Sequence, residues 1–125
     1  MPLSKRDQAR TERLLVATLT EACETAKSEI VGFGWLTHEV DYAVFPASLQ
    51  VIWVFDTQLE QRQALAAGLD ARMLELTSIA LVDAGVTLDR LAAHVHFDSE
   101  EACLRENAGD WSRRIASKYA PRTRR

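Results

Sequence analysis

The sequence predicts a single α+β domain in which a three-stranded sheet and its helices form two layers. Two kinds of hydrophobic spacing alternate along the 125 residues. In some segments apolar residues recur every three or four positions, as in helices, and in others they recur every second position, as in strands. The predicted element order is α-β-β-α-β-α, with a kink inside the second helix.

The first helix and a hairpin occupy the first half of the chain. Residues 4–31 have helical spacing, with Ser4 as the cap and Gly32 as the stop. Residues 35–42 alternate between apolar and polar side chains, which is typical of a half-buried strand. Residues 49–55 are apolar at nearly every position, which indicates a central strand. We expect these two strands to pair antiparallel.

A long helical segment is predicted from Thr57 to Ala84. Thr57 and Glu60 have the spacing of a capping box, and Gly68 marks the kink. Residues 91–98 alternate again and are predicted to form the third strand. Its connection through the long helix allows parallel pairing with a hairpin strand by a right-handed crossover.

Two short helices are predicted to complete the domain. Asp98 or Ser99 caps the first, and Asp110 caps the second. The last helix carries three residues four positions apart, which dock it on the core: Trp111, Ile115 and Tyr119. The domain is predicted to cover residues 1–120, and residues 121–125 form a basic C-terminal tail.

The charge of the chain is unevenly distributed, although the net charge is only −3. From residue 14 to residue 110, five basic residues face sixteen acids, whereas basic residues concentrate at both ends. Because lysine and arginine neutralise phosphates, we predict a non-enzymatic, nucleic-acid-associated protein that contacts RNA or DNA. This function requires the two ends to form one positive surface, and the alternative is that they are merely solvated. The predicted contact residues are Lys5, Arg6, Arg10, Arg13, Arg113, Arg114, Lys118, Arg122, Arg124 and Arg125.

A metal site is the first alternative function. His94, His96 and Asp98 share one face of the predicted third strand, and His38 lies on another strand. Two histidines and a carboxylate are a ligand set for zinc or another divalent metal. The competing interpretation is that this face is the solvated side of an edge strand. No other cofactor is predicted.

An enzyme is the less favoured class. The chain contains no GxSxG elbow, no phosphate loop and no GxGxxG motif. The second alternative function is a homodimeric protein–protein adaptor. Its basis is three large aromatic residues of the kind that anchor interfaces when exposed: Trp35, Phe45 and Trp53.

The sequence further predicts a cytoplasmic protein without a membrane partner. No apolar run approaches the roughly 18 residues that a membrane span needs. The first residues lack the apolar core of a signal peptide. Cys23 and Cys103 lie far apart without CxxC spacing, so we expect two reduced, buried side chains rather than a disulfide.

Two family resemblances add to this reading. Residues 32–38 (GFGWLTH), 51–56 (VIWVFD) and 94–103 (HVHFDSEEAC) resemble a family of small bacterial proteins of unknown function that is often labelled as Fis-family transcriptional regulators. That resemblance covers the chain from about residue 15 to residue 111. The element order resembles the KH-like domain of ribosome-binding factor A, and residues 66–68 (AAG) are similar to the Ala-x-Gly kink of that family. The first resemblance implies a regulator, and the second implies a KH-like fold with RNA or ribosome contact.

Overall fold

A computed structural model describes residues 3–119, which form five α-helices and a three-stranded sheet. The elements are α1 Lys5–Lys27, β1 Phe33–Glu39, β2 Gln50–Phe55, α2 Gln58–Ala66, α3 Leu69–Asp83, β3 Val95–Ser99, α4 Glu100–Asn107 and α5 Trp111–Lys118. Short 3-10 helices at Tyr42–Val44 and Leu91–His94 precede β2 and β3. The predicted α+β class and element order are confirmed. The predicted tail at residues 121–125 lies outside the described residues.

The sheet has the order β1-β2-β3, with β1 antiparallel to β2 and β3 parallel to β2. Both pairings follow the sequence-based expectation. β2 is the central strand and is buried along nearly its whole length. This position explains why its sequence is almost continuously apolar, since both of its faces are covered.

The two faces of β2 contact different helices. Val51, Trp53 and Phe55 point into the main core, which they share with α1 and α3. Ile52 and Val54 point the other way, into a second cluster with residues of α5. Successive side chains of a strand lie on opposite faces, so α1 and α5 lie on opposite sides of the sheet. α5 thus covers the second face of the sheet, whereas the two-layer prediction places helices on one face only.

The helix starts follow the predicted capping residues, whereas α1 ends at Lys27, four residues before the predicted end at residue 31, with Ser28 as its C-cap. The Ser4 hydroxyl accepts a hydrogen bond from the Asp7 amide at 3.1 Å, and the Thr57 hydroxyl accepts one from the Glu60 amide at 3.1 Å. Gly68 has φ of 80° and separates α2 from α3. This left-handed conformation favours glycine, so the kink lies where the sequence predicts it.

α1 is the longest helix of the described chain, and its first turns extend beyond the sheet. The buried residues of α1 begin only at Leu15 and end at Ala26. Ile30 follows one turn later, and its carbonyl accepts a hydrogen bond from the Phe33 amide at the start of β1. Glu12 reaches His38 near the end of β1. The residues before Glu12 therefore project past the sheet. Neither α1 nor any other helix of residues 3–119 is long and apolar enough to cross a membrane.

The predicted third strand, residues 91–98, is wrong in its first half. Residues 91–94 form a 3-10 helix, and the strand begins only at Val95, which pairs with Val51. The reason lies in β2, which starts at Gln50 and offers no strand backbone for the residues before Val95 to pair with. His94 instead donates its Nδ1–H to the carbonyl of Leu49 at 2.8 Å.

Candidate functional site

The predicted basic residues of the N-terminus lie on the exposed part of α1. Lys5, Arg6, Arg10 and Arg13 are all exposed, and none of them forms an ion pair within residues 3–119. Three of these cations have the spacing i, i+4, i+7, which places them on one side of the helix. We call this row the arginine stripe: Arg6, Arg10 and Arg13.

The acids of this segment do not neutralise the stripe. Glu12 is half-buried and accepts hydrogen bonds from the Tyr42 hydroxyl at 2.7 Å and from His38 Nε2 at 3.1 Å. Burial raises the pKa of Glu12, but these two bonds outweigh it and hold the pKa below its ordinary value. Asp7 lies in the first turn beside its cap, Ser4. The stripe therefore keeps its positive charge exposed to solvent.

The basic residues of α5 fall into two groups. Arg113 and Lys118 are exposed. Arg114 is 2% exposed and donates from Nε and Nη2 to the two carboxylate oxygens of Asp98 at 2.6 and 2.9 Å. Its Nη1 also donates to Glu106 at 2.9 Å. The prediction that Arg114 contacts a nucleic acid is therefore corrected, because its guanidinium is buried and bound within the fold.

Asp98 is the centre of this buried cluster. Its carboxylate also accepts from the Tyr119 hydroxyl at 2.5 Å and from the Ser99 amide at 2.8 Å. Burial raises the pKa of Asp98, but the bonds from Arg114, Tyr119 and Ser99 outweigh it and hold the pKa below its ordinary value. The tyrosine is affected in the opposite sense, since burial and the neighbouring carboxylate raise the pKa of Tyr119. Asp98 is thus a charged acceptor that anchors α5 on the sheet.

The two basic segments lie on opposite faces of the sheet but near the same end. Glu12 of α1 contacts His38, which pairs with Val51 at the start of β2. On the other face, the ring of Tyr119 lies 5.0 Å from the ring of His96, which pairs with the next residue of β2. The exposed cations of residues 3–119 therefore do not form the single positive surface that the sequence prediction requires. The stripe and Lys118 flank one end of the sheet from both sides, whereas Arg113 lies in the first turn of α5, whose Trp111 packs against Trp35 near the other end.

The three histidines are separated in the structure. His38 lies on β1 and faces α1, because it pairs with the inward-facing Val51. His96 lies on β3, on the opposite face, where Nε2 donates to the Gln50 side chain at 2.5 Å. Burial lowers the pKa of His96, and the charges of His94 and Lys118 add to that effect.

The predicted metal ligands therefore do not converge. His94 precedes β3, His38 is across the sheet, and Asp98 is bound by Arg114. Each histidine also uses one ring nitrogen to donate a hydrogen bond, to a carbonyl, an amide oxygen or a carboxylate. Within residues 3–119 no group of three or more His, Cys, Asp or Glu side chains is arranged to hold a metal ion.

The aromatic residues on which the adaptor alternative was based are covered. Trp53 is fully buried, and Phe45 is half-buried beside Tyr42 at 5.3 Å between ring centroids. Trp35 is also half-buried and packs edge-on against Trp111 at 4.9 Å. None of the three predicted anchors is an exposed aromatic side chain.

Two polar contacts that position these elements carry no recognisable sequence signal. Glu100 accepts from the indole nitrogens of both Trp35 and Trp111, at 2.6 and 2.8 Å. Glu12 binds His38 and Tyr42, which are 26 and 30 positions away along the chain. Neither glutamate belongs to a motif, so only the packing of α1 on the sheet, and of α4 beside α5, brings these partners together.

Comparison of the chain with models of known protein families, with characterised proteins and with solved structures finds no match.

Proposed function

We propose that this protein binds nucleic acid through the phosphate backbone, using the exposed cations at one end of its sheet. The contact residues at this end are Lys5, Arg6, Arg10, Arg13 and Lys118, and the exposed Arg113 lies toward the other end of the sheet, at the start of α5. The basic residues 122, 124 and 125 follow α5 in the sequence and extend this set. Arg114 is not a contact residue, because it is buried against Asp98.

The arginine stripe carries the proposal by itself, because α1 and α5 lie on opposite faces of the sheet and their cations do not join into one surface. Positive charges near the N-terminus of a helix are electrostatically unfavourable, because the helix macrodipole is already positive there. The stability of α1 therefore does not explain why Lys5 and Arg6 occupy its first turn, and Arg10 and Arg13 continue the same exposed row without an ion pair within residues 3–119. Exposed guanidinium groups on one helix face are suited to phosphate oxygens, which they bind in a bidentate manner.

The acidic body supports an interaction limited to this end of the molecule. The region from residue 14 to residue 110 carries an excess of acids, which repel a phosphate backbone. A nucleic acid is thus steered to the stripe and to Lys118 at the end of α5. Binding of this kind reads charge rather than base sequence.

Fluorescence anisotropy with labelled single-stranded RNA, single-stranded DNA and duplex DNA across a salt series tests the proposal. We expect the logarithm of the association constant to fall linearly with the logarithm of salt concentration, by about 0.7–0.9 for each phosphate contacted. The double variant Arg6→Ala/Arg10→Ala should reduce the magnitude of that slope by about 2.

The matched control is Arg62→Ala/Arg90→Ala, which removes two exposed cations of the body that form no ion pair within residues 3–119. This control should leave the salt slope unchanged. The absence of binding to all three probes at low salt contradicts the proposal. An equal change in slope for the two double variants contradicts the assignment to the stripe.

A further inference from the structure

We propose that the free edge of β1 pairs antiparallel with the same edge of a second copy of this chain, which forms a symmetric dimer with one continuous sheet. Two three-stranded sheets would then share the order β3-β2-β1-β1-β2-β3. This inference does not rest on nucleic-acid binding, although the two proposed surfaces share Arg13, and its tests are carried out without nucleic acid.

The two edges of the sheet differ in how they are covered. At the β3 edge, Gln61 of α2 donates its side-chain Nε2–H to the carbonyl of Phe97 at 3.1 Å. On the β1 edge, the backbone of residues 34–39 has no hydrogen bond outside its ladder with β2, among the described residues. A row of unpaired amides and carbonyls is a template for a further strand. The bulge of β1 lies between Phe33 and Trp35 and leaves residues 35–39 regular.

A shallow groove runs beside this edge between α1 and β1, with a volume of about 260 Å³. On the α1 side it is lined by Val16, Thr20 and Cys23, and on the strand side by Leu36. Val16 is 49% exposed, although it belongs to an apolar lining. Its burial against a partner would remove apolar surface from water.

The small side chains on this flank of α1 allow a second helix to lie close by. Paired strands are about 4.8 Å apart, so pairing of the two β1 edges also brings the two α1 helices together. Helices pack at interaxial distances of about 8–10 Å, and the shorter values require small side chains at the contact. Val16, Thr20 and Cys23 meet that requirement, whereas long side chains would keep the strands apart.

β1 is complementary to itself when it pairs antiparallel. A two-fold axis at Thr37 places Thr37 opposite its own copy, Leu36 opposite His38, and Trp35 opposite Glu39. The only carboxylate of the strand therefore never faces its copy. A threonine pair across strands is favourable, and like charges directly opposite are not.

The charges along α1 are complementary in the same arrangement. The first half of the helix carries the basic residues, and the exposed Glu21 and Glu24 lie in the second half. An antiparallel partner therefore brings Arg13 of one copy toward Glu24 of the partner subunit, and the two-fold axis repeats this pair. A second copy of the chain thus fits this surface in backbone, side-chain size and charge.

Light scattering after size-exclusion chromatography, over a range of protein concentrations, tests the dimer. We expect a species of twice the chain mass of 14.0 kDa that dissociates on dilution. Val16→Asp should give the monomer, because it places a carboxylate of each copy in the groove that the partner would cover. Val82→Asp is the matched control, since Val82 is 70% exposed on α3 and should leave the dimer intact.

Charge reversal gives a second test that does not depend on the folding of a single variant. Arg13→Glu and Glu24→Arg should each weaken dimerisation by roughly three- to tenfold, and the double variant should restore it. A monomer at every concentration overturns the proposal. Equal effects of Val16→Asp and Val82→Asp on dimerisation overturn the assignment to this edge. The assignment is also overturned if the double charge-reversal variant dimerises no more strongly than the single variants.

Discussion

The guanidinium of Arg114 binds both carboxylate oxygens of Asp98, at 2.6 and 2.9 Å, and both side chains are only 3% exposed. Asp98 lies on β3 and Arg114 on α5, so this ion pair joins the last helix to the sheet. Tyr119 adds a hydrogen bond to the same carboxylate. The cluster explains why a helix with mostly polar residues has a fixed position on the second face of the sheet.

The variant Arg114→Ala should destabilise the protein strongly. It leaves Asp98 as a buried charge without its main partner, which costs about 3–5 kcal/mol in the free energy of unfolding. The measurement is urea denaturation monitored by circular dichroism. Arg113→Ala is the control, because the neighbouring arginine is exposed and should change stability by less than about 0.5 kcal/mol. Equal effects of the two substitutions would mean that the ion pair does not hold α5.

Stability should fall in acid as Asp98 is protonated. Its pKa in the folded state lies below the ordinary value of about 3.9, so its charged form contributes stability above that pH. This contribution is lost as the pH falls below about 4 and through the folded pKa. Urea denaturation between neutral pH and about pH 3 measures the loss.

The variant Asp98→Asn should be less stable at neutral pH and should depend less on pH in the acid range. Part of the acid dependence should remain, because the pKa of Glu12 is also lowered. If Asp98→Asn loses as much stability between pH 7 and pH 3 as the unsubstituted protein does, another group dominates the acid transition.

Substitution of two glycines with nearly the same φ should have unequal effects. Gly32 has φ of 82° and Gly68 has φ of 80°. A Cβ on Gly32 would lie 2.5 to 2.8 Å from three carbons of the Glu60 side chain, whereas a Cβ on Gly68 would meet nothing within 4 Å. Gly68→Ala should therefore cost about 1–2 kcal/mol through backbone conformation alone.

Gly32→Ala should cost more, because it adds crowding of Glu60, which belongs to the capping box of α2. Thermal and urea denaturation of both variants provide the comparison. The same loss in both variants would contradict the crowding that the geometry indicates.

The variant Thr77→Val should destabilise the main core. The indole nitrogen of Trp53 donates to the Thr77 hydroxyl at 3.1 Å, and both side chains are fully buried. Valine has nearly the same shape but leaves the indole N–H without an acceptor, at a cost of about 1–3 kcal/mol. Thr25→Val on the exposed face of α1 is the control and should have little effect. If Thr77→Val is as stable as Thr25→Val, the hydrogen bond between Trp53 and Thr77 does not stabilise the core.

The local features of the fold could be read from short segments of sequence. Ser4, Thr57, Ser99 and Asp110 each accept a backbone hydrogen bond at the start of a helix, as their positions indicate. Gly68 breaks the long helix where a left-handed residue is needed. These features depend only on residues within a few positions of each other, so periodicity and residue type are sufficient to predict them.

The roles of the charged residues could not be read in the same way. His94, His96 and Asp98 alternate as a strand face would, yet His94 belongs to a 3-10 helix and Asp98 binds Arg114, sixteen positions away. Arg114 has the same sequence context as the exposed Arg113, and only the direction of its side chain toward the sheet separates them.

The sequence by itself determined the α+β class, the order of the elements, the buried central strand and the concentration of cations at the two ends, because these follow from residue spacing and composition. The tertiary structure alone decided which cations remain exposed, which carboxylate binds the buried arginine and which edge of the sheet stays open. The physical reason is that burial and ion pairing depend on contacts between residues far apart in the chain, and only the packing of α1 and α5 on opposite faces of the sheet creates those contacts.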